Sequence, residues 1–296
     1  MKEHTIELLQ YKRVCKEFSQ YAITEDGKVL CENISPTSNI EEITKLKSCG
    51  NDCLCLLQQS FFPPLKYLPP IMPFLEKLSN GEVLEIEGIY SIFLLVISCI
   101  NLSNWKKEIG KSLFEKNNFL EKIDDLPMLD EIYTSISSFI DENGTLKEVS
   151  SLKAISKKIE HTESDIKASI LHYFNDDSIV DMLQSNLPTT KNNRQVIAVK
   201  ANFKGRIKGI IHEYSHSAKT FYIEPEDIVL KNNQLQELKA EWEREYFNIL
   251  RNLSNIIFEN NDNLKLTLSI IKELDLMFAF AKWASLNNAH FLMDEG

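Results

Sequence analysis

Glycine and proline are scarce in this sequence, nine of each among 296 residues. That is too few for a chain built mostly of turns, so long regular elements are expected. The start, MKEHTIELLQYKRV, has no apolar core of the kind a secretory signal needs. The most apolar run, Ile89–Ile100 (IYSIFLLVISCI), is about a dozen residues, too short to span a bilayer and suited to a buried helix. No membrane partner is expected. The six cysteines, Cys15, Cys31, Cys49, Cys53, Cys55 and Cys99, all lie in the first third. Without a signal before them they read as reduced thiols of a cytoplasmic protein. Cys49, Cys53 and Cys55 lack a further Cys or His at ligand spacing, and CGNDCLCLLQQ reads as helix, so core packing is expected there and no metal. A P-loop is missing as well. Gly110-Lys111-Ser112 has Trp105 where the leading glycine belongs, within a helical segment.

What remains is mostly helix. Residues 4–20 form an amphipathic pattern. Ser35-Pro36-Thr37 breaks it, and Asn39 caps a helix beginning IEEITKL, with acids in its first turn. Helices follow at about 72–79, 85–101, 104–116 and 126–141, and Asp141-Glu142-Asn143-Gly144 ends that series. Thr145-x-x-Glu148 has the form of a capping box. From there a helix runs to Leu187, with apolar residues from Leu152 to Met182 at spacings of three, four and seven and one slip near Asn175-Asp176-Asp177. About 43 residues at 1.5 Å each predict an arm of roughly 60 Å. A second striped helix starts with Pro225 at its first position and runs to about Asn260, and the two stripes predict antiparallel packing. A last helix is expected over Leu264–Leu286.

Between the striped helices lies the one stretch that does not read as helix, Arg194–Pro225. Gln195–Lys200, Arg206–His212 and Thr220–Ile223 alternate or are β-branched, and Asn202–Gly205 and Tyr214–Ala218 supply turn chemistry, which predicts an antiparallel meander. Positive charge collects here. From Lys191 to Thr220 there are seven bases against the single acid Glu213, a local charge of +6 in a chain of −10. A basic patch on an acidic body is the footprint of a phosphate-binding surface, though lysines also serve simply to solubilise an exposed tip. His212 and His216 straddle a turn with only Glu213 as a further ligand, too few for a metal site. Ser215 and Ser217 sit in no nucleophile elbow and are expected to hydrogen-bond within the turn. Asp275, inside an apolar stripe, is expected to be a hydrogen-bonded structural acid. Trp105, Trp242 and Trp283 occupy core-like positions. No catalytic residue is assigned.

At these residues the chain resembles the second MutS family of bacteria (MutS-II), related to the mismatch-repair ATPase MutS. The resemblance is carried by Val199-Lys200-Ala201, Lys204-Gly205-Arg206, Gly209-Ile210-Ile211-His212, Ser215-x-Ser217 and Thr220-x-x-Ile223-Glu224-Pro225. It continues through Asn232-Asn233-x-Leu235-x-Glu237-Leu238 and Glu241-x-Glu243-x-Glu245, and Asp141–Gly144, Leu274-Asp275, Ala279 and Ala281 also fit. It implies a mainly α fold, a helical core with a long antiparallel two-helix lever carrying a small antiparallel β clamp at its tip. The implied divisions are core over 1–144, lever out over 145–188, clamp over 189–225, lever back over 226–260 and core return over 261–296. Arg194, Lys200, Lys204, Arg206, Lys208 and Lys219 would bind nucleic-acid backbone. Gly205, Gly209, His212, Ser215, Ser217, Thr220, Glu224 and Pro225 would form the clamp's structural motif. In that family an ATPase follows, often with a small Smr nuclease domain, so ATP and Mg are expected there and none in these residues. The family's proteins are dimers that encircle duplex or branched DNA, with links to recombination control and to stalled ribosomes, so the ribosome or its RNA is an alternative partner. One departure stands out: the family usually has glycine where this chain has Ala218, a difference that matters if the turn needs a positive φ.

Overall fold

The computed structural model describes residues 3–109 and 116–291. The chain forms two compact units, one of residues 1–147 with 250–296 and one of residues 148–249. It is mainly helical with one small antiparallel sheet.

The first unit opens with α1 (Glu3–Leu8) and α2 (Tyr11–Ser19). The single amphipathic helix expected there is broken at Gln10, which adopts a left-handed conformation at φ 50°. Then come α3 (Glu25–Glu32) and α4 (Ile40–Gln58). The side chain of Asn39 accepts the backbone N–H groups of Glu41 and Glu42, the expected cap. The Cys49–Cys55 segment is helical, with Cys49 and Cys53 buried in the core. Burial pushes their thiols up in pKa, Cys49 to about 11, which fits packing and opposes thiolate chemistry.

α5 (Met72–Ser79) lies where expected. α6 (Ile86–Ile109) is one helix where two are expected. Leu102 at the anticipated break is fully buried, and Ser103 folds its hydroxyl back onto the Cys99 carbonyl at 3.0 Å, so the polar residues there do not end the helix. At 24 residues α6 has the length and composition to cross a membrane. Over half of its apolar window is nevertheless packed inside this unit, with Ile89, Ile92, Phe93, Leu95 and Val96 essentially inaccessible. Gly110-Lys111-Ser112 and the rest of the expected 104–116 helix lie outside the described residues. α7 (Asn118–Asp124) was not expected, and α8 (Asp130–Ser137) is shorter than the 126–141 span. Asn117 caps α7 by accepting from Leu120 N at 2.9 Å.

The capping box at Thr145 does not form. Asp141 instead accepts the N–H groups of Asn143 and Thr145 at 2.9 and 2.8 Å, and Ile140 bridges Leu146. The turn is thus claimed by an aspartate side chain, and the helix starts only at Ser150.

In the second unit α9 (Ser150–Asn175) is followed by the single turn α10 (Asp177–Val180). The expected unbroken helix to Leu187 stops because Asp176 is extended and turns its carboxylate onto Ser178 N at 2.9 Å and Ser178 Oγ at 2.6 Å. The slip in the apolar stripe marks this break. Four strands follow: β1 (Thr189–Lys191), β2 (Arg194–Lys200), β3 (Gly209–Tyr214) and β4 (Thr220–Pro225). Their spatial order is β1-β2-β4-β3, all antiparallel. The expected meander is therefore wrong in one pairing. β4 lies between β2 and β3, because the β2–β3 loop passes over it and seats Ile207 in the core.

α11 (Glu226–Glu259) leaves the sheet, with Pro225 as the last strand residue and not the first helical one. It runs antiparallel to α9. Asp227, Lys231 and Lys239 meet Tyr173, Ser169 and Glu163 in turn, the numbers rising on one helix as they fall on the other. Ile197, Val199, Phe221 and Ile223 of the sheet pack with Ile166 and Ile170 of α9 and with Ile228 and Leu235 of α11. α12 (Asn261–Asn287) then serves as the central packing helix of the first unit, lying against α2, α3, α4 and α6. Trp105, Trp242 and Trp283 are half-buried, not core residues, and Trp242 stacks on Tyr246 with centroids 5.3 Å apart.

Asp275 of α12 is the structural acid anticipated. It is fully buried and accepts Ile23 N at 2.9 Å, Thr24 N at 2.8 Å and Thr24 Oγ at 2.6 Å, fixing the start of α3. Burial raises its pKa, with the Thr24 and Ile23 hydrogen bonds and Lys28 opposing. A Cβ on Gly27 would fall 2.1 Å from its Oδ2. Gly27→Ala should therefore displace the carboxylate and destabilise this unit by about 2–3 kcal/mol, read as a drop in the denaturation midpoint. An unchanged midpoint would mean that α3 is not anchored there.

Candidate nucleic-acid interface

The basic stretch folds around a buried charge. Glu224, on β4, is completely inaccessible. Its Oε1 accepts from Arg194 Nη1 of β2 and from Asn232 Nδ2 of α11, both at 2.8 Å. Its Oε2 meets His212 Nε2 of β3 at 2.6 Å. A β-bulge between Ile211 and Glu213 takes His212 out of the ladder, and such bulges re-aim a side chain. Asn232, also fully buried, exchanges hydrogen bonds with the main chain of Gln195, donating to its carbonyl at 3.1 Å and accepting from its N–H at 3.3 Å. It pairs with β2 much as another strand would. Arg194 completes the set by donating from Nη2 to Asn233 Oδ1 at 2.5 Å. Burial pushes the Glu224 carboxyl up, but hydrogen bonds from His212, Asn232 and Arg194, with the Arg194 charge, outweigh it and hold the carboxyl below its ordinary value.

The seven bases thereby separate into two groups. Arg194, expected to touch nucleic acid, is spent on the interior. Lys191 is paired with Glu213 at 2.7 Å and lies 4.5 Å from the centre of the Tyr222 ring. Lys200 donates to the Asp181 carbonyl at 2.8 Å. Lys204, Arg206, Lys208 and Lys219 are exposed, and among the described residues none of them forms an ion pair. Three lie on the β2–β3 loop and one on the β3–β4 turn. Ala201 N donates to Lys219 O at 2.9 Å and Lys204 Nζ lies 5.3 Å from the centre of the Tyr214 ring, so loop and turn adjoin.

The expected motif residues shape these loops. Gly205 has φ +81° with open space around it, so the glycine serves the backbone alone. A Cβ on Gly209 would fall 2.1 Å from the Glu224 carbonyl oxygen, so β3 could not approach β4 with any other residue there. Ser215 accepts Thr220 N at 3.1 Å on its hydroxyl, which lies 3.4 Å from that of Ser217, the turn role expected. Thr220 and Pro225 are buried at the two ends of β4. His216 is exposed in the turn. Asn232 was named only within the motif that carries the resemblance and was given no site role, though polar residues inside an apolar stripe deserve a partner search. β1 was also missed, and its signal was Asn192-Asn193. Both residues have positive φ, 50° and 60°, as a two-residue hairpin turn requires.

Ala218 has φ 54°, so the turn does need the conformation that glycine adopts freely. Ala218→Gly should stabilise the protein by about 1 kcal/mol. A loss of stability in chemical denaturation would show the residue to be unstrained. Arg194→Ala should instead cost about 2–4 kcal/mol, since it strands a buried carboxylate. A carboxyl with a depressed folded pKa contributes stability above its unfolded value, about 4.3, and loses it as pH falls through the folded value. The Arg194→Ala penalty should therefore be full at neutral pH and shrink in acid. A penalty independent of pH would contradict the charge network.

No protein-family model matches the chain. It is 28% identical over 291 residues to a protein named endonuclease MutS2 from Halothermothrix orenii, covering 96% of this chain and 37% of the relative. Equivalents from a Geobacillus strain and from Halalkalibacterium halodurans are 28% and 26% identical, over 96% and 98% of this chain. The chain spans little more than a third of the length of these relatives. Over nearly its whole length, then, it is related to a part of the MutS2 proteins, as its motifs indicate.

Proposed function

We propose that this chain is the core, lever and clamp portion of a MutS2-like protein that acts in DNA repair or recombination control, in the cytoplasm. In this reading α9 and α11 are the lever, the sheet is the clamp, and its loops grip the backbone of duplex or branched DNA without reading sequence. One observation carries the proposal. The exposed cations Lys204, Arg206, Lys208 and Lys219, which form no ion pair among the described residues, gather on two adjoining loops of a chain whose net charge is −10. Phosphate contacts from such residues position a protein without specifying sequence. The relatives carry the name endonuclease, and in this reading the chemistry of the whole protein, including ATP hydrolysis with Mg, belongs to residues other than these. Two copies would be needed to encircle a duplex.

A second reading rests on Ile210 and Tyr214, apolar residues about half exposed on β3 beside the basic loop. They suit docking on a protein or a ribosome.

Fluorescence anisotropy with labelled duplex and branched DNA over a salt series separates the readings. Four phosphates neutralised give a slope of log affinity on log salt of about −3.6. Lys204→Glu/Lys219→Glu should reduce it to about half or abolish binding. A flat salt response would sink the backbone grip. Ribosome binding that persists at high salt and is lost in Ile210→Ala would establish the second reading.

A further inference from the structure

Beside the basic loop is a cleft of about 630 Å³ whose chemistry exceeds what a backbone grip needs. α9, α10, the β2–β3 loop and the start of α11 all contribute to it, within the second unit. Its volume falls in the range of small-molecule sites. Met182 and Ile207 give it an apolar wall, and Tyr173 adds an aromatic ring. Arg206 and Lys208 form a cationic rim. Opposite in charge are Glu226 and Asp227. Asp227 Oδ1 accepts the Tyr173 hydroxyl at 2.5 Å, while no hydrogen bond to its Oδ2 is formed among the described residues.

Phosphate alone would favour the cations and be repelled by Glu226 and Asp227. A metal ion would favour the two carboxylates and be repelled by the cations. A nucleotide uses both, with an anionic phosphate for Arg206 and Lys208, a flat ring for Tyr173 and the apolar wall, and base N–H donors for the carboxylate. Carboxylates only accept hydrogen bonds. Of the four DNA bases, guanine alone offers two neighbouring N–H donors on its pairing edge, and in a duplex that edge is occupied. We propose that this cleft holds one unpaired guanine nucleotide, stacked on Tyr173 and read by Asp227, with its phosphate on Arg206 and Lys208. The proposal rests on the nucleic-acid reading above and adds base selectivity at a single position, a property that the exposed lysines cannot supply. It also places the preference on single-stranded or branched substrate, where a guanine is free.

Isothermal titration calorimetry of the chain with dGMP, dAMP, dCMP and dTMP tests it. dGMP should bind about tenfold or more tighter than the others. Asp227→Asn, which replaces one acceptor with a donor, should abolish most of that preference. Arg206→Ala should weaken all four nucleotides by a similar factor and leave the preference intact. Since Asp227 also holds Tyr173, the fold of Asp227→Asn is checked by circular dichroism, which should match that of the unsubstituted chain. Failure of any mononucleotide to bind at millimolar concentration, or equal binding of all four, would overturn the proposal. Salt-dependent duplex binding alongside that failure would leave the backbone grip standing. Selective dGMP binding by a chain that does not hold duplex or branched DNA would refute the grip and keep the pocket.

Discussion

The second unit depends on one carboxylate that water does not reach. Glu224 sits on the central strand of the three that carry its network, and it is met by Arg194 from one neighbour, His212 from the other and Asn232 from α11. An isolated carboxylate in such a place would be neutralised or expelled, because burying an uncompensated charge costs several kcal/mol. Each of the three partners therefore holds its own element in position: Arg194 sets β2, the bulge at His212 sets β3, and Asn232 ties the helix to the sheet edge-on through Gln195. Apolar packing of Ile197, Val199, Phe221 and Ile223 supplies a driving force for association, but it is non-directional. The network adds direction, since each hydrogen bond has one good geometry.

The same constraint decides which charges face outward. A basic sequence stretch has no intrinsic reason to divide its cations into interior and exterior sets. Here β2 carries Arg194 inward, and β1 carries Lys191 across Tyr222 to Glu213. The residues left exposed are those on connections, where the backbone is not committed to the ladder. The connections in turn are shaped by residues with no charge at all. Gly209 lets β3 close on β4, and Gly205 and Ala218 take the positive φ values that turn the chain. Positive charge at the surface is thus a consequence of strand register and glycine placement as much as of composition.

Much of this architecture was legible in the sequence, and the failures have physical causes. Helix periodicity located α5 and most of α11 and α12. It failed at Asp141 and Asp176, where a short acidic side chain captured backbone N–H groups that a helix would otherwise have used. Both are local competitions between side chain and main chain, and a stripe of apolar residues says nothing about them. Strand existence was legible from β-branching, but strand order was not. β2, β3 and β4 read as a meander by proximity, and only the burial of Ile207 in the core shows why the β2–β3 loop crosses over β4. Charge was legible as a total. That Arg194 is structural was not, because its partner Glu224 lies 30 residues away and its other contact, Asn233, is 39 residues away.

Interior and exterior roles in this unit make opposite demands on their residues. A buried charge network tolerates almost no substitution, since removal of one partner leaves the others unpaired at full desolvation cost. Loop cations that meet phosphate need only be present and mobile, because the interaction is long-ranged and screened by salt. The two sets share the stretch 194–232, yet the fold keeps them apart, with the rigid set on the strands and the start of α11 and the adaptable set on the connections. The exposed loops can therefore accept substitutions that the network of Glu224, Arg194, His212 and Asn232 cannot.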